Sequence, residues 1–296
     1  MLRLLVAEGN KAADRRRIAA SAGATPGEGY AALLRRLAPE ARVDIFAPAD
    51  AEAAIPAPLE NYQGVVFTGS ALNIYKREPE SLRQVDFMRE LFARNAPIFG
   101  SCWGLQVAAV AAGGEVGPNP RGREIGFARK ITLTDAGRAH PMHEGRPAVF
   151  DAPAVHADEI LRLPENAIVT AFNEASSVQA AEIRCGAGVF WGVQYHPEYD
   201  LHDVATTILR YGPALVEEGF FESTAALENY AADLESLQRD PKQHDIARGR
   251  ALGRDLLDAP TRALEISNWV ERCVNQTGHS SMRFRQRGPR GDRGAT

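Results

Sequence analysis

The fold class predicted by this 296-residue sequence is an open, mostly parallel α/β sheet with helices on both faces and a C-terminal helical extension. Three observations carry that expectation. Short apolar runs (Leu2 to Ala7, Val43 to Phe46, Gly64 to Phe67, Pro97 to Gly100) recur through the first hundred residues and read as buried strands. Between the last two, Leu82, Val85, Met88, Leu91 and Phe92 repeat at helical spacing, which predicts an amphipathic helix from about Ser81 to Arg94. Strand, helix, strand in that order requires parallel pairing through a right-handed crossover.

The elements follow in order. Met1 to Ala7 is too short for the apolar core of a secretory signal and reads as a first strand. After Cys102, the run Leu105 to Ala112 is apolar nearly all round, as a buried helix is, and ends at Gly113-Gly114. From Phe127 to Val193 the chain becomes strand-rich (Ile131 to Leu133, Ala167 to Phe172, Gly188 to Val193), with a small antiparallel element expected around residues 127–155. A helix then carries Val204, Ile208 and Leu209 on one face. The texture changes after Tyr211-Gly212-Pro213. This divides the chain into a catalytic unit over residues 1–212, a helical appendage over 213–274 and a disordered basic tail over 275–296. The stripe Ile266, Trp269, Val270 and Cys273 in the appendage reads as a docking face.

Composition narrows the function. The content is 45% hydrophobic and 24% charged with a net charge of -4, so neither nucleic acid nor an anionic membrane is an expected partner. The three cysteines include no C-x-x-C pair, and no run approaches the length of a membrane span, which together suggest a soluble cytoplasmic protein. His140-Pro141-Met142-His143 and Arg121-Gly122-Arg123-Glu124 are read as a surface turn and a solvated loop, respectively.

Chemistry concentrates at Gly100-Ser101-Cys102-Trp103-Gly104, which follows a buried strand and opens a helix. This is the pattern of a nucleophile elbow with cysteine as the nucleophile. A turn that tight strains the nucleophile and leaves no room for side chains at the flanking glycines. A helix N-terminus attracts negative charge, which favours a thiolate at Cys102, and the Trp103 N–H points where an oxyanion would form. A second oxyanion donor is expected from the turn after Val65-Val66-Phe67-Thr68, at Gly69 or Ser70, because strand ends in a parallel sheet converge on ligands. Among seven histidines, His196 stands at the end of an apolar strand in Gly192-Val193-Gln194-Tyr195-His196-Pro197-Glu198. Glu198 can reach its far nitrogen and hold its tautomer.

These segments resemble the class I (triad) glutamine amidotransferases, most closely the glutaminase domain of GMP synthetase and stand-alone γ-glutamyl peptidases. The family's G-x-C-x-G-x-Q is matched by Gly100 to Gln106, and its G-V-Q-[FY]-H-P-E by Gly192 to Glu198. Val155-His156-Ala157-Asp158-Glu159 is similar to a further family segment, and Phe67-Thr68-Gly69-Ser70 to its oxyanion segment. The resemblance covers about residues 1–210 and implies a flavodoxin-like fold. It implies a catalytic triad of Cys102, His196 and Glu198, an oxyanion hole from Gly69 and Trp103, and substrate contacts from Gln106, Ser70, Ser177 and Val178. It implies glutamine or a γ-glutamyl small molecule as substrate, with no metal and no cofactor.

Three departures from the family stand out. Trp103 and Ser70 replace commoner residues and could reshape the pocket, and Asn10 to Gly29 is longer than the resemblance leads one to expect. No synthetase domain follows. The leading expectation is therefore a subunit that passes ammonia to a separate synthetase, with a self-sufficient γ-glutamyl peptidase and a non-catalytic regulatory module as the alternatives.

Overall fold

The computed structural model describes residues 2–285. Its strands are β1 (Arg3–Ala7), β2 (Arg42–Phe46), β3 (Gly64–Phe67), β4 (Pro97–Ser101), β5 (Glu115–Pro118), β6 (Glu124–Leu133), β7 (Val149–His156), β8 (Asp158–Arg162), β9 (Ala167–Phe172), β10 (Ala180–Cys185) and β11 (Gly188–Val193). The helices are α1 (Ala12–Ala22), α2 (Pro26–Leu37), α3 (Pro79–Phe92), α4 (Trp103–Ala111), α5 (Asp135–Arg138), α6 (Leu201–Glu217), α7 (Thr224–Arg239), α8 (His244–Gly249), α9 (Arg254–Leu257), α10 (Ala259–Arg262) and α11 (Leu264–Arg285).

Nine strands form one sheet in the order β2-β1-β3-β4-β11-β10-β9-β6-β7, while β5 and β8 pair separately. The five strands from β2 to β11 run parallel. The remaining four pair antiparallel, so that portion is wider than the 127–155 element the pattern suggests.

Side-chain alternation divides the core between the two faces of the sheet. Leu4, Val6, Val66 and Phe99 point to a layer shared with Tyr30 and Leu34 of α2 and with Ile266, Trp269 and Cys273 of α11. Leu5, Val65, Phe67 and Ile98 point to the other layer, under α3 and α4. The Trp269 stripe is thus internal core and not a docking face. Its indole packs on Phe99 at 6.1 Å between ring centroids, over Gly64, where a Cβ would lie 2.8 Å from Trp269 Cζ2. Burial pushes the Cys273 thiol up to about 12. The stripe looks unpartnered in the sequence because its partner, the face of the parallel sheet at β3 and β4, lies about two hundred residues earlier in the chain.

Two local features depart from the simple pattern. Helix α6 opens with a capping box at Asp200 and Asp203 and continues through Pro213 to Glu217. Pro213 removes one backbone donor, yet Gly212 and Leu215 are buried there, and Leu227 of α7 lies beside Gly212. Helix α11 runs on to Arg285, past the start of the expected tail, whose last residues, 286–296, lie outside the described residues. Among the described residues, no helix is long and apolar enough to cross a membrane.

Candidate active site

Three strand ends build the site. In the parallel register Gly100 of β4 stands beside Phe67 of β3 on one side and Gly192 of β11 on the other. The residues just past these ends (Gly69, Cys102 and His196) therefore emerge together at the carboxyl edge of the sheet, where ligands collect in α/β folds.

The elbow has the geometry its sequence predicts. Cys102 sits at φ 49°, ψ -98°, a conformation that a non-glycine residue holds only when its surroundings impose it. Its N–H donates to Val193 O at 2.7 Å, tying the turn to β11. Gly104 is obligatory, because a Cβ there would lie 2.7 Å from Phe67 Cβ. The Trp103 N–H, first of α4, has no intrahelical acceptor by position. The Trp103 indole is fully buried and donates to Gln84 Oε1 at 2.7 Å, so it anchors the helix and does not shape the pocket.

His196 is 1% exposed and held at one face, at its Cε1 edge and at Nδ1. Tyr199 stacks on its ring at 4.2 Å and 17°, and Gly69 lies against its Cε1 edge, where a Cβ would be 2.7 Å from Cε1. Nδ1 meets Glu198 Oε1 at 2.7 Å. Ser101 donates to the second carboxylate oxygen at 2.8 Å, and Tyr30 OH lies 3.0 Å from Ser101 Oγ. Burial alone would drive the imidazole pKa down; the charge of Glu198 and the neighbouring Cys102 outweigh it and raise the value to about 10. Nε2 makes no hydrogen bond, and Cys102 Sγ is directed to Val155 O at 3.6 Å. The thiol is thus close enough to influence the ring without a formed bond, as is common before substrate aligns such a pair.

Asn10, outside every motif, and Thr68, within one, hold the segment at Gly69 and Ser70. Asn10 donates to Gly69 O at 3.1 Å and accepts from the Ala71 N–H at 3.0 Å, while Thr68 Oγ1 donates to Gly69 O at 2.8 Å. Fixing the Gly69 carbonyl fixes the Ser70 N–H, which points the opposite way across a trans peptide. Glu8, 1% exposed, receives Asn10 Nδ2 at 3.2 Å and the Gly27 N–H, and burial raises its pKa despite those bonds. Asn10→Ala should lower kcat about tenfold, less than loss of an oxyanion donor itself, and steady-state kinetics will test this. An unchanged kcat would remove Asn10 from the positioning role.

Two recesses meet at Cys102. One is bounded by Ser70, Asn73, Gln106, Arg123, His156 and Asp158. The other is bounded by Asn10, Arg17, Gly69, His196, Tyr199 and Arg210. Gln106 and Ser70 are therefore at the site. Ser177 is exposed and Val178 packs in the core, and neither lines either recess. Arg123, read from the sequence as part of a solvated loop, lines the first recess instead; Arg17 and Arg210 went unrecognised because they belong to no motif, and only the extra length of Asn10 to Gly29 hinted at α1.

Two sequence expectations need correction. Glu124 is not part of a solvated loop: it is buried against His156 Nε2 at 2.8 Å and Gln179 Nε2 at 2.6 Å. His140 and His143 do not form a surface turn. His140 is half-buried, 3.0 Å from Glu182 of β10, and His143 is buried, 3.0 Å from Thr170 of β9, because those strands pass beneath the turn. Among the described residues, no group of three or more His, Cys, Asp or Glu side chains is placed to hold a metal.

The same arrangement connects the chain to known proteins. It is 38% identical, over 93% of its length and 94% of the relative's, to a γ-glutamyl-L-1-hydroxyisopropylamide hydrolase from a Pseudomonas species. It is 30% identical to γ-glutamyl peptidase 4 of Arabidopsis thaliana, over 66% of this chain and 78% of that one. With GMP synthase of Thermosipho africanus it shares 33% identity over 47% of this chain, but only 24% of the relative. A glutamine amidotransferase from Thermotoga maritima has the same fold, with a TM-score of 0.64 at 18% identity, over 92% of this chain and 98% of that one. The family model for class-I glutamine amidotransferases matches residues 30–212, and the chain belongs to that family.

Proposed function

We propose that the protein is a self-sufficient hydrolase of γ-glutamyl amides, with Cys102 as nucleophile, His196 as proton carrier and Glu198 as its orienting carboxylate. Cys102 Sγ bonds to the γ-carbonyl carbon, and the oxyanion is held by the Trp103 N–H and by an N–H at Gly69 or Ser70. The carbon–nitrogen bond then breaks as His196 gives its proton to the departing amine. Water, deprotonated by His196, attacks the thioester and releases glutamate and the thiol. The clamped imidazole is suited to this work, because its proton reaches the leaving nitrogen from a ring that cannot turn away.

The observation that carries this reading, ahead of the ammonia-donating subunit, is the near full-length match to a relative named as a hydrolase of a γ-glutamyl amide. Supporting it, the apolar stripe that would serve a synthetase is buried within the chain's own core. The test is glutamate release by the purified chain alone, from glutamine and from γ-glutamyl-L-1-hydroxyisopropylamide. The expected result is higher kcat/KM on the substituted amide, by about tenfold or more, since amine contacts add binding energy. Turnover of glutamine alone, rising on addition of a synthetase, would instead establish the subunit reading.

A further inference from the structure

We infer that the recess on the His196 side of Cys102 is the amine subsite, and that Arg210 and Arg17 make it select amines that carry a carboxylate. The inference rests on the hydrolase reading above and names its substrate class: γ-glutamyl amides of amino acids.

The two recesses are chemically unlike. Hydrolysis requires the proton donor beside the departing nitrogen, and only one recess contains His196. The other contains Gln106 together with Asp158 and Arg123, one acid and one base. An acid and a base suit the ammonium and carboxylate of a glutamyl group, so the acyl end belongs there. What remains for the amine is the recess walled by α1 and α6, whose lining includes two arginines and no carboxylate.

Both arginines are available. Arg210 donates to Ser21 Oγ at 3.0 Å and to Thr207 Oγ1 at 2.9 Å, neutral partners that orient the guanidinium. Among the described residues, no carboxylate forms an ion pair with it. Arg17 reaches Asp14 one turn earlier on α1 at 3.1 Å, an exposed pair that is weak in water. The Arg210–Ser21 bond also ties α6 to α1, so the extra helix after the first strand is the structural device that closes this subsite. A guanidinium fork recognises a carboxylate through charge-assisted hydrogen bonds, whereas a hydroxymethyl group in its place offers a neutral partner only.

The test compares γ-glutamyl-L-alanine with γ-glutamyl-L-alaninol, which differ only in carboxylate against hydroxymethyl. The wild-type chain should favour the former in kcat/KM on the order of tenfold, as expected for a partly exposed charge-assisted contact. The double variant Arg17→Gln, Arg210→Gln should bring the ratio to about one, and Arg210→Lys should retain part of it. A ratio is the readout because a purely structural role for either arginine would slow both substrates alike. A wild-type preference for the alaninol amide, or a ratio that the double variant leaves unmoved, overturns the inference. Calorimetric binding of both compounds to Cys102→Ala separates the two layers of the argument. Preferential binding of the alanine compound without turnover in the wild type would support the subsite and sink the hydrolase reading. Equal binding of the two would sink the subsite.

Discussion

Cys102→Ala should abolish glutamate release, with kcat down about a hundred-thousand-fold, the scale on which covalent catalysis fails when its nucleophile is removed. The strained backbone at φ 49° is compatible with alanine only because the surrounding turn imposes it, so the variant should fold; its melting temperature will show whether it does. Cys102→Ser should be nearly as inactive, since a hydroxyl needs a stronger base than a thiol does. Glu198→Gln tests the other end of the same chain of contacts. In the wild type, His196 stays protonated up to about pH 10, so activity that depends on the imidazolium persists to that pH and falls above it. Removing the Glu198 charge leaves the downward pull of burial less opposed. The alkaline limb should move to lower pH by more than one unit, with kcat about a hundredfold lower. An unmoved alkaline limb would mean that another group titrates there.

The second large effect concerns stability and comes from the far side of the sheet. Glu265 of α11 is fully buried and accepts from Arg146 Nε at 2.9 Å and Nη2 at 2.5 Å and from Tyr195 OH at 2.9 Å, with His143 Nδ1 at 3.6 Å. Glu265→Ala leaves the Arg146 guanidinium buried without its counter-charge, a loss of about 3–5 kcal/mol. In a chain of this size that is about 10 °C in melting temperature. Burial opposes ionisation of Glu265, but the charge and bonds of Arg146, with the His143 ring nearby, outweigh it and hold the carboxyl at about 2. The stabilisation is therefore complete above the ordinary carboxylate value of 4.5 and is lost as pH falls from there towards 2. Acid unfolding of Glu265→Gln, followed by circular dichroism, should lack that part of the pH dependence. A melting shift below about 1 °C in Glu265→Ala would show the pair to be energetically neutral. Tyr195 directly precedes His196, so the same pair braces the strand end that carries the imidazole.

The sequence by itself determined the elements whose signal is local. The parallel strands, helix α3, the elbow at Cys102 and the strand carrying His196 and Glu198 were all legible, because periodicity, glycine placement and short motifs act over a few residues. The juxtaposition of Gly69 and Cys102 followed from one rule about parallel strands, whereas that of His196 with them came from the pairing of β11 with β4. Tertiary structure alone decided three further matters. It placed Trp269 and Glu265 in the core, since a stripe on a distant helix does not announce the sheet face it covers. It recruited Asn10 and Glu8 to brace the segment at Gly69 and Ser70, because a polar side chain in a loop shows its partner only after the chain folds back. It also set Arg17 and Arg210 around one recess, 193 positions apart in the chain. Spacing of that kind leaves no periodic trace: the contact exists only because α1 and α6 pack side by side.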